Sequence, residues 1–231
     1  MNSYPSSPAQ LGVRPAAALS AQFLTQAFAW MFAGLLLSAG VAFLVQGSES
    51  LIATIADFWL LLLIGQVALA FGIGLLINRI SATAALGLFF VYAASMGASS
   101  GVVVRLYTAS SVATAFVSAA AMFGGAAIYG ATTKRSLASI GGYLTMALIG
   151  LIVASVVNMF LGSGMVGWII SLVGVILFTV ITAYDVQRIQ NGEIAAATGS
   201  MEKASVIGAL NLYLDFVNLF LFMLRLFGNR D

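Results

Sequence analysis

The chain contains no cysteine and no histidine, and its three prolines, Pro5, Pro8 and Pro15, all lie in the first fifteen residues. Without cysteine there is no disulfide framework, no thiol nucleophile and no thiolate metal site. Without histidine the commonest zinc ligand and general base are missing, as is the side chain that titrates near neutral pH. Charge is scarce as well. Seven acids and nine bases make up 7% of 231 residues, against roughly a quarter in an average soluble domain. So few charges cannot cover the surface of a soluble fold of this length. The net charge of +2 comes with no run of like charges and gives no footing for nucleic acid.

What the chain has in abundance is apolar sequence, 61% of all residues. A bilayer core takes about twenty apolar residues per helix. On that scale spans are expected near 22–46, 52–77, 82–104, 111–131, 138–161, 165–184 and 205–228. The fold class expected is all-α, a polytopic membrane bundle of seven helices forming one domain over 21–231. The first twenty residues, rich in Pro, Ser, Ala and Gln, read as a disordered tail. No short apolar core with a small-residue cleavage site follows a basic start, so the tail is not read as a cleavable signal.

Orientation follows from the basic loops. Arg14, Arg79, Lys134, Arg135, Arg188 and Lys203 fall on one side, and before the last span only Arg105 falls on the other. The positive-inside rule places the N-terminus in the cytoplasm. A seventh full span would put Arg225 and Arg230 outside, whereas a re-entrant last segment would keep them inside. Seven spans is the reading adopted.

Candidate functional residues are the polar ones inside spans. Asn211, Asp215, Asn218 and Arg225 fall within roughly 80° of one another at 100° per residue, forming one stripe on the last helix. A charged side chain at the bilayer centre costs about 2.5–3.5 kcal/mol on insertion scales. Asp215 stands about ten residues, or ~15 Å, into its span, so the stripe is expected to face the protein interior or a water-filled cavity. The plainer reading is a hydrogen-bonded seam between helices, with Asn211 and Asn218 in support and Arg225 snorkelling to the interface. Asp185 directly follows the sixth apolar run and approaches from the same side as Asp215. If the two meet, their charges repel and they become the obvious pH-sensing group in a chain without histidine. Alternatively, Asp185 is a helix-end acid paired with Arg188. Arg79 is a candidate counter-ion or simply a topology determinant. Gln66 and Asn158 read as inter-helix hydrogen-bond partners, and Glu49 and Asp57 as outer loop acids. No metal site and no resident cofactor are expected.

Four segments carry a family resemblance: AMFGGAAIYGATTKRSL over 121–137, TAYDVQRI over 182–189, LNLYLDFVNLF over 210–220 and LRLFGNR over 224–230. Together they resemble the Bax-inhibitor (TMBIM) family, more narrowly its bacterial inner-membrane, YbhL-like branch, from about residue 20 to the end. The resemblance implies seven helices with the last surrounded by the other six. It also implies a pH-sensitive, calcium-permeable leak gated by two aspartates, which match Asp185 and Asp215. The family's arginine near the start of the third helix corresponds loosely to Arg79, with different local spacing.

The leading expectation is therefore a slow cation leak with Ca²⁺ as permeant ion, not an enzyme, in a bacterial inner membrane. A different class remains open: a non-conducting regulator that binds a membrane protease or other membrane complexes. An intramembrane aspartyl protease is disfavoured, because the chain lacks a Gly-x-Gly-Asp element and any Pro-Ala-Leu element.

Overall fold

The computed structural model describes residues 17–229. Among these, every regular element is helical: α1 (Ala17–Gln46), α2 (Glu49–Asp57), α3 (Trp59–Leu76), α4 (Ala82–Val104), α5 (Ala109–Thr132), a 3₁₀ turn (Ala138–Ile140), α6 (Gly141–Leu161), α7 (Gly164–Gln190), α8 (Glu193–Thr198) and α9 (Met201–Phe227). Helix is the element that satisfies its backbone groups within one segment, which a hydrocarbon surrounding demands. Seven of the helices are long and apolar enough to cross a membrane, as the sequence predicts. The expected tail lies outside the described residues up to position 16, and 17–20 already belong to α1.

Helix starts are set by short hydroxyl side chains. Ser48, Ser81 and Thr108 each accept from the backbone N–H three residues on, capping α2, α4 and α5. These caps lie in the connections, where they occupy donors that the first turn leaves without partners.

Three boundaries differ from the sequence reading, each for a physical reason. The expected span over 52–77 is two helices broken at Phe58. Asp57 would have stood inside the hydrocarbon. Instead α2 ends on it with no buried residue, and the crossing begins at Trp59. Eighteen residues remain in α3, about 27 Å at 1.5 Å per residue, enough for the core. The sixth span does not stop at 184 but runs on to Gln190, because no glycine or proline interrupts Asp185–Gln190 and the next glycine comes only at Gly192, with φ +74°. The last helix starts at Met201, with Glu202 in its first turn, where an acid suits the helix dipole.

Contacts divide the chain into two compact units. Of the described residues, one holds those up to Arg105 together with Arg188–Tyr213, and the other holds Leu106–Gln187 together with those from Leu214 to Asn229. In the first, α1 packs against α4. The backbones approach so closely that a Cβ at Gly97 would stand 2.5 Å from the Ser38 carbonyl oxygen. The Ser38 hydroxyl lies 2.7 Å from both the Ala93 carbonyl and the Tyr213 hydroxyl. Gln66 donates to Ser95 O and Ser99 Oγ at 2.9 and 3.0 Å, a hydrogen-bonded seam as the sequence reading had it. Glu49 pairs with Arg105 at 2.9 Å.

In the second unit, Gly130 of α5 sits directly on the Ala183 carbonyl of α7. The Tyr184 hydroxyl of α7 covers Gly141 at the start of α6. Gln187 clamps the α5–α6 connection, accepting from Leu137 N at 2.7 Å and donating to Arg135 O at 2.9 Å. Phe116 and Phe123 of α5 meet Phe216 of α9 edge-on, with centroids 5.5 Å apart in each case.

Gly130→Ala places a methyl where the Ala183 backbone already stands. We expect it to destabilise the protein by about 1–3 kcal/mol and to lower the thermal midpoint in detergent. Gly150→Ala has nothing within 4 Å and gains up to about 1 kcal/mol of helix propensity. Equal midpoints for the two variants would show that the Gly130 contact does not limit packing.

A buried aspartate pair as candidate functional site

Three residues of α7 and α9 form the most unusual polar group in the second unit. Asp185 is 7% exposed and Asp215 3%. They belong to two helices whose other buried residues are mostly apolar. Thr182 stands three residues before Asp185, on the same face of α7, and is fully buried. The Asp215 carboxyl is hydrogen-bonded to Thr182 and lies within electrostatic reach of Asp185. Its Oδ2 is buried without a hydrogen-bond partner among the described residues. The Thr182 hydroxyl is also 2.7 Å from the Phe178 carbonyl oxygen, one turn back along α7.

The chemistry of this group is restricted. Among the described residues no set of three or more His, Cys, Asp or Glu side chains converges as a metal cage. The site offers two carboxylates and one hydroxyl, hard oxygen donors that suit protons or hard cations. Two unit charges ~4 Å apart repel by about 4 kcal/mol at an effective dielectric of 20. A shared proton or a transient cation relieves that repulsion, and an orphaned carboxylate oxygen is the atom that would take it.

The other candidates are distributed as follows. Asn218 donates to the Leu214 carbonyl at 2.8 Å, one turn back on its own helix. Asn211 is half-buried and falls in the first unit. Arg225 is exposed, and its guanidinium lies beside Gly167 at the start of α7, where a Cβ would stand 3.5 Å from Nη2. Of the four stripe residues, Asp215 alone is fully buried. Arg79 is exposed in the turn after α3, in the first unit, whereas both aspartates are in the second. Arg188 pairs with Glu193 at 3.4 Å. Asp185 is not at a helix end, as the sequence reading had it, because α7 continues past it by more than a turn.

Two participants escaped the sequence reading. Thr182 was legible in principle: it precedes Asp185 by three, the spacing that shares a helix face. Gln187 was not, because a lone amide near a helix end carries no signal for the loop it holds. Helix α9, which carries Asp215, is the most enclosed of the seven apolar helices.

Comparison with known proteins agrees with the resemblance in the motifs. The family model described as inhibitor of apoptosis-promoting Bax1 matches residues 20–231. The chain is 43% identical over 224 residues to the inner membrane protein YbhL of Escherichia coli K12, covering 94% of this chain and 95% of that protein. It is 40% identical over 210 residues to an uncharacterized protein of Deinococcus radiodurans, covering 90% and 91%. It is 38% identical over 215 residues to one of Borreliella burgdorferi, covering 90% and 92%. With a match that spans both aspartates and all seven apolar helices, the chain belongs to the Bax-inhibitor family.

Proposed function

We propose that this protein is a pH-sensitive cation leak of a bacterial inner membrane, with Ca²⁺ as the permeant ion and the Asp185–Asp215 pair as its gate. The observation that carries the reading is the buried acid pair, with one carboxylate oxygen of Asp215 lacking a partner. Burying an acid inside a membrane helix is expensive, and intramembrane acids commonly mark ion or proton pathways. A pair that shares one proton is neutral enough to tolerate its surroundings. A cation displacing that proton meets two carboxylates and a hydroxyl. Full protonation removes those ligands and stops its passage. The leak is slow, because two carboxylates do not make a selectivity filter or an acidic ring. The protein acts without enzymatic chemistry and without a resident cofactor. The name of the Escherichia coli relative supports the inner-membrane location.

Purified protein in liposomes loaded with a calcium dye tests the gate. The parent's flux changes with pH, whereas Asp215→Asn, which keeps shape but cannot titrate, gives a flat profile. Asp185→Asn keeps a pH dependence with a displaced midpoint, because the remaining acid no longer faces a like charge. Unchanged profiles in both variants would make the pair structural. The non-conducting regulator would then be the better reading.

We place the N-terminus in the cytoplasm from the distribution of basic loops. Alkaline phosphatase fused after residue 20 should be inactive, and fused at residue 231 it should be active if α9 crosses fully. The opposite result at residue 20 would invert the topology, and inactivity at both positions would make α9 re-entrant.

A further inference from the structure

Thr182 is a member of the buried group whose hydrogen bonds respond to the charge on Asp215. A threonine hydroxyl has one proton and two lone pairs. Here it has two neighbours that both accept: the Phe178 carbonyl at 2.7 Å and the carboxyl of Asp215. It cannot donate to both at once. An ionised Asp215 is acceptor-only, so Thr182 must turn its proton toward α9 and release Phe178. A protonated Asp215 can donate instead, so Thr182 accepts from it and donates back to Phe178. Each arrangement leaves the buried hydroxyl with a full hydrogen bond.

We propose that Thr182 is a positioning residue of the aspartate pair, a hydroxyl switch whose bond to the Phe178 carbonyl is made when Asp215 is protonated and broken when it is ionised. The consequence falls on the backbone of α7. A threonine bonded to the carbonyl four residues back bends its helix slightly, and turning the hydroxyl away removes that bend. The affected turn, 178–182, lies immediately before Asp185. A proton on α9 thus alters the course of α7 where α7 presents its own acid. Asp185 is the titratable group whose charge acts on the Asp215 carboxyl. α5 and α6 carry no charged residue, and the other charged residues of α9 are Glu202 and Lys203 in its first turn and Arg225 in its last. The switch rests on the proposed aspartate gate for its purpose, but its hydrogen-bond exchange can be measured without any ion flux.

The test uses full-length protein in lipid nanodiscs, with ¹³C-labelled aspartate and infrared difference spectra taken across a pH titration. The carbonyl stretch of a protonated aspartate reports both its titration and the hydrogen bond that it donates. Asp215→Asn assigns the band. In Thr182→Val the band should move to higher frequency, because the acid has lost its acceptor. Its midpoint should move by about one pH unit, the scale of a single hydrogen bond to a charged group. Thr182→Ser keeps the hydroxyl and should restore both band and midpoint, which separates the switch from a packing defect. A Thr182→Val spectrum that matches the parent would overturn the proposal. So would the lack of any Asp215-dependent band at every pH. The same variants in calcium-dye liposomes separate the two ideas. Infrared shifts without flux changes keep the switch and remove the gate. A flux profile that depends on Asp215 but not on Thr182, with unshifted spectra, keeps the gate and removes the switch.

Discussion

A carboxylate in the interior of a membrane-spanning helix has few ways to exist, and the second unit is organised around that restriction. Asp215 cannot face lipid without a cost of several kcal/mol, and it cannot remain charged beside a second acid without a proton, a cation or strong donors. Its helix is accordingly the most enclosed of the seven. It meets the aromatic rings of α5 on one side and the Thr182–Asp185 face of α7 on another. Small residues elsewhere serve the same end. Gly130 lets α5 lie directly on the α7 backbone at Ala183. Both acids are accordingly buried, at 7% and 3% exposure. An intramembrane acid enclosed this tightly responds to protons and ions more than to bulk solvent.

The first unit shows what the plainer reading of an intramembrane polar residue looks like. Ser38, Ala93 and Tyr213 form a short hydrogen-bonded knot, and Gln66 reaches Ser95 and Ser99 with both amide protons. These groups have their partners, and neutral hydrogen bonds between membrane helices each add a modest amount, about 0.6 kcal/mol on average. Such seams fasten helices and need no further role. The Asp215 carboxyl differs in neighbouring a like charge; an unmatched buried oxygen it shares with the Asn158 amide, whose Oδ1 also lacks a partner among the described residues. The like charge beside Asp215 is the feature that the neutral seams lack.

Much of this was readable from residue order, because lipid is a simple solvent. Apolar length alone gives seven crossings, and a lone acid amid Leu, Phe and Val announces itself. The misplaced boundaries share one cause. Hydropathy averages over a window, so it ran the second crossing through Asp57, and it ended the sixth at Asp185 because polarity rises there. Backbone chemistry, by contrast, lets a helix continue until a glycine takes a left-handed conformation, here Gly192. The stripe on α9 was read as one feature from its angular spacing. Burial divides it, because a shared helix face does not fix what stands opposite each turn. Asn218 turned to its own backbone and Arg225 to the exposed end. Which residue meets which across two helices is a tertiary fact, and only Thr182, tied to Asp185 by spacing within one helix, could have been added beforehand.

The stretch of α7 from 182 to 187 divides its faces among distinct tasks. At 100° per residue, Thr182 and Asp185 lie within ~60° of each other, Ala183 and Gln187 share a second direction, and Tyr184 points to a third. The first face meets Asp215. The second is fixed by the α5 backbone at Gly130 and by the connection that Gln187 holds through Leu137 and Arg135. The third closes over Gly141 at the head of α6. A helix held on two sides cannot absorb a change on its remaining side by sliding, since close-packed contacts of this kind do not deform smoothly. The second face ends on the α5–α6 connection, where Lys134 and Arg135 lie exposed beside the clamp. The connection that carries Lys134 and Arg135 is thus tied to the same short stretch of α7 that presents Asp185.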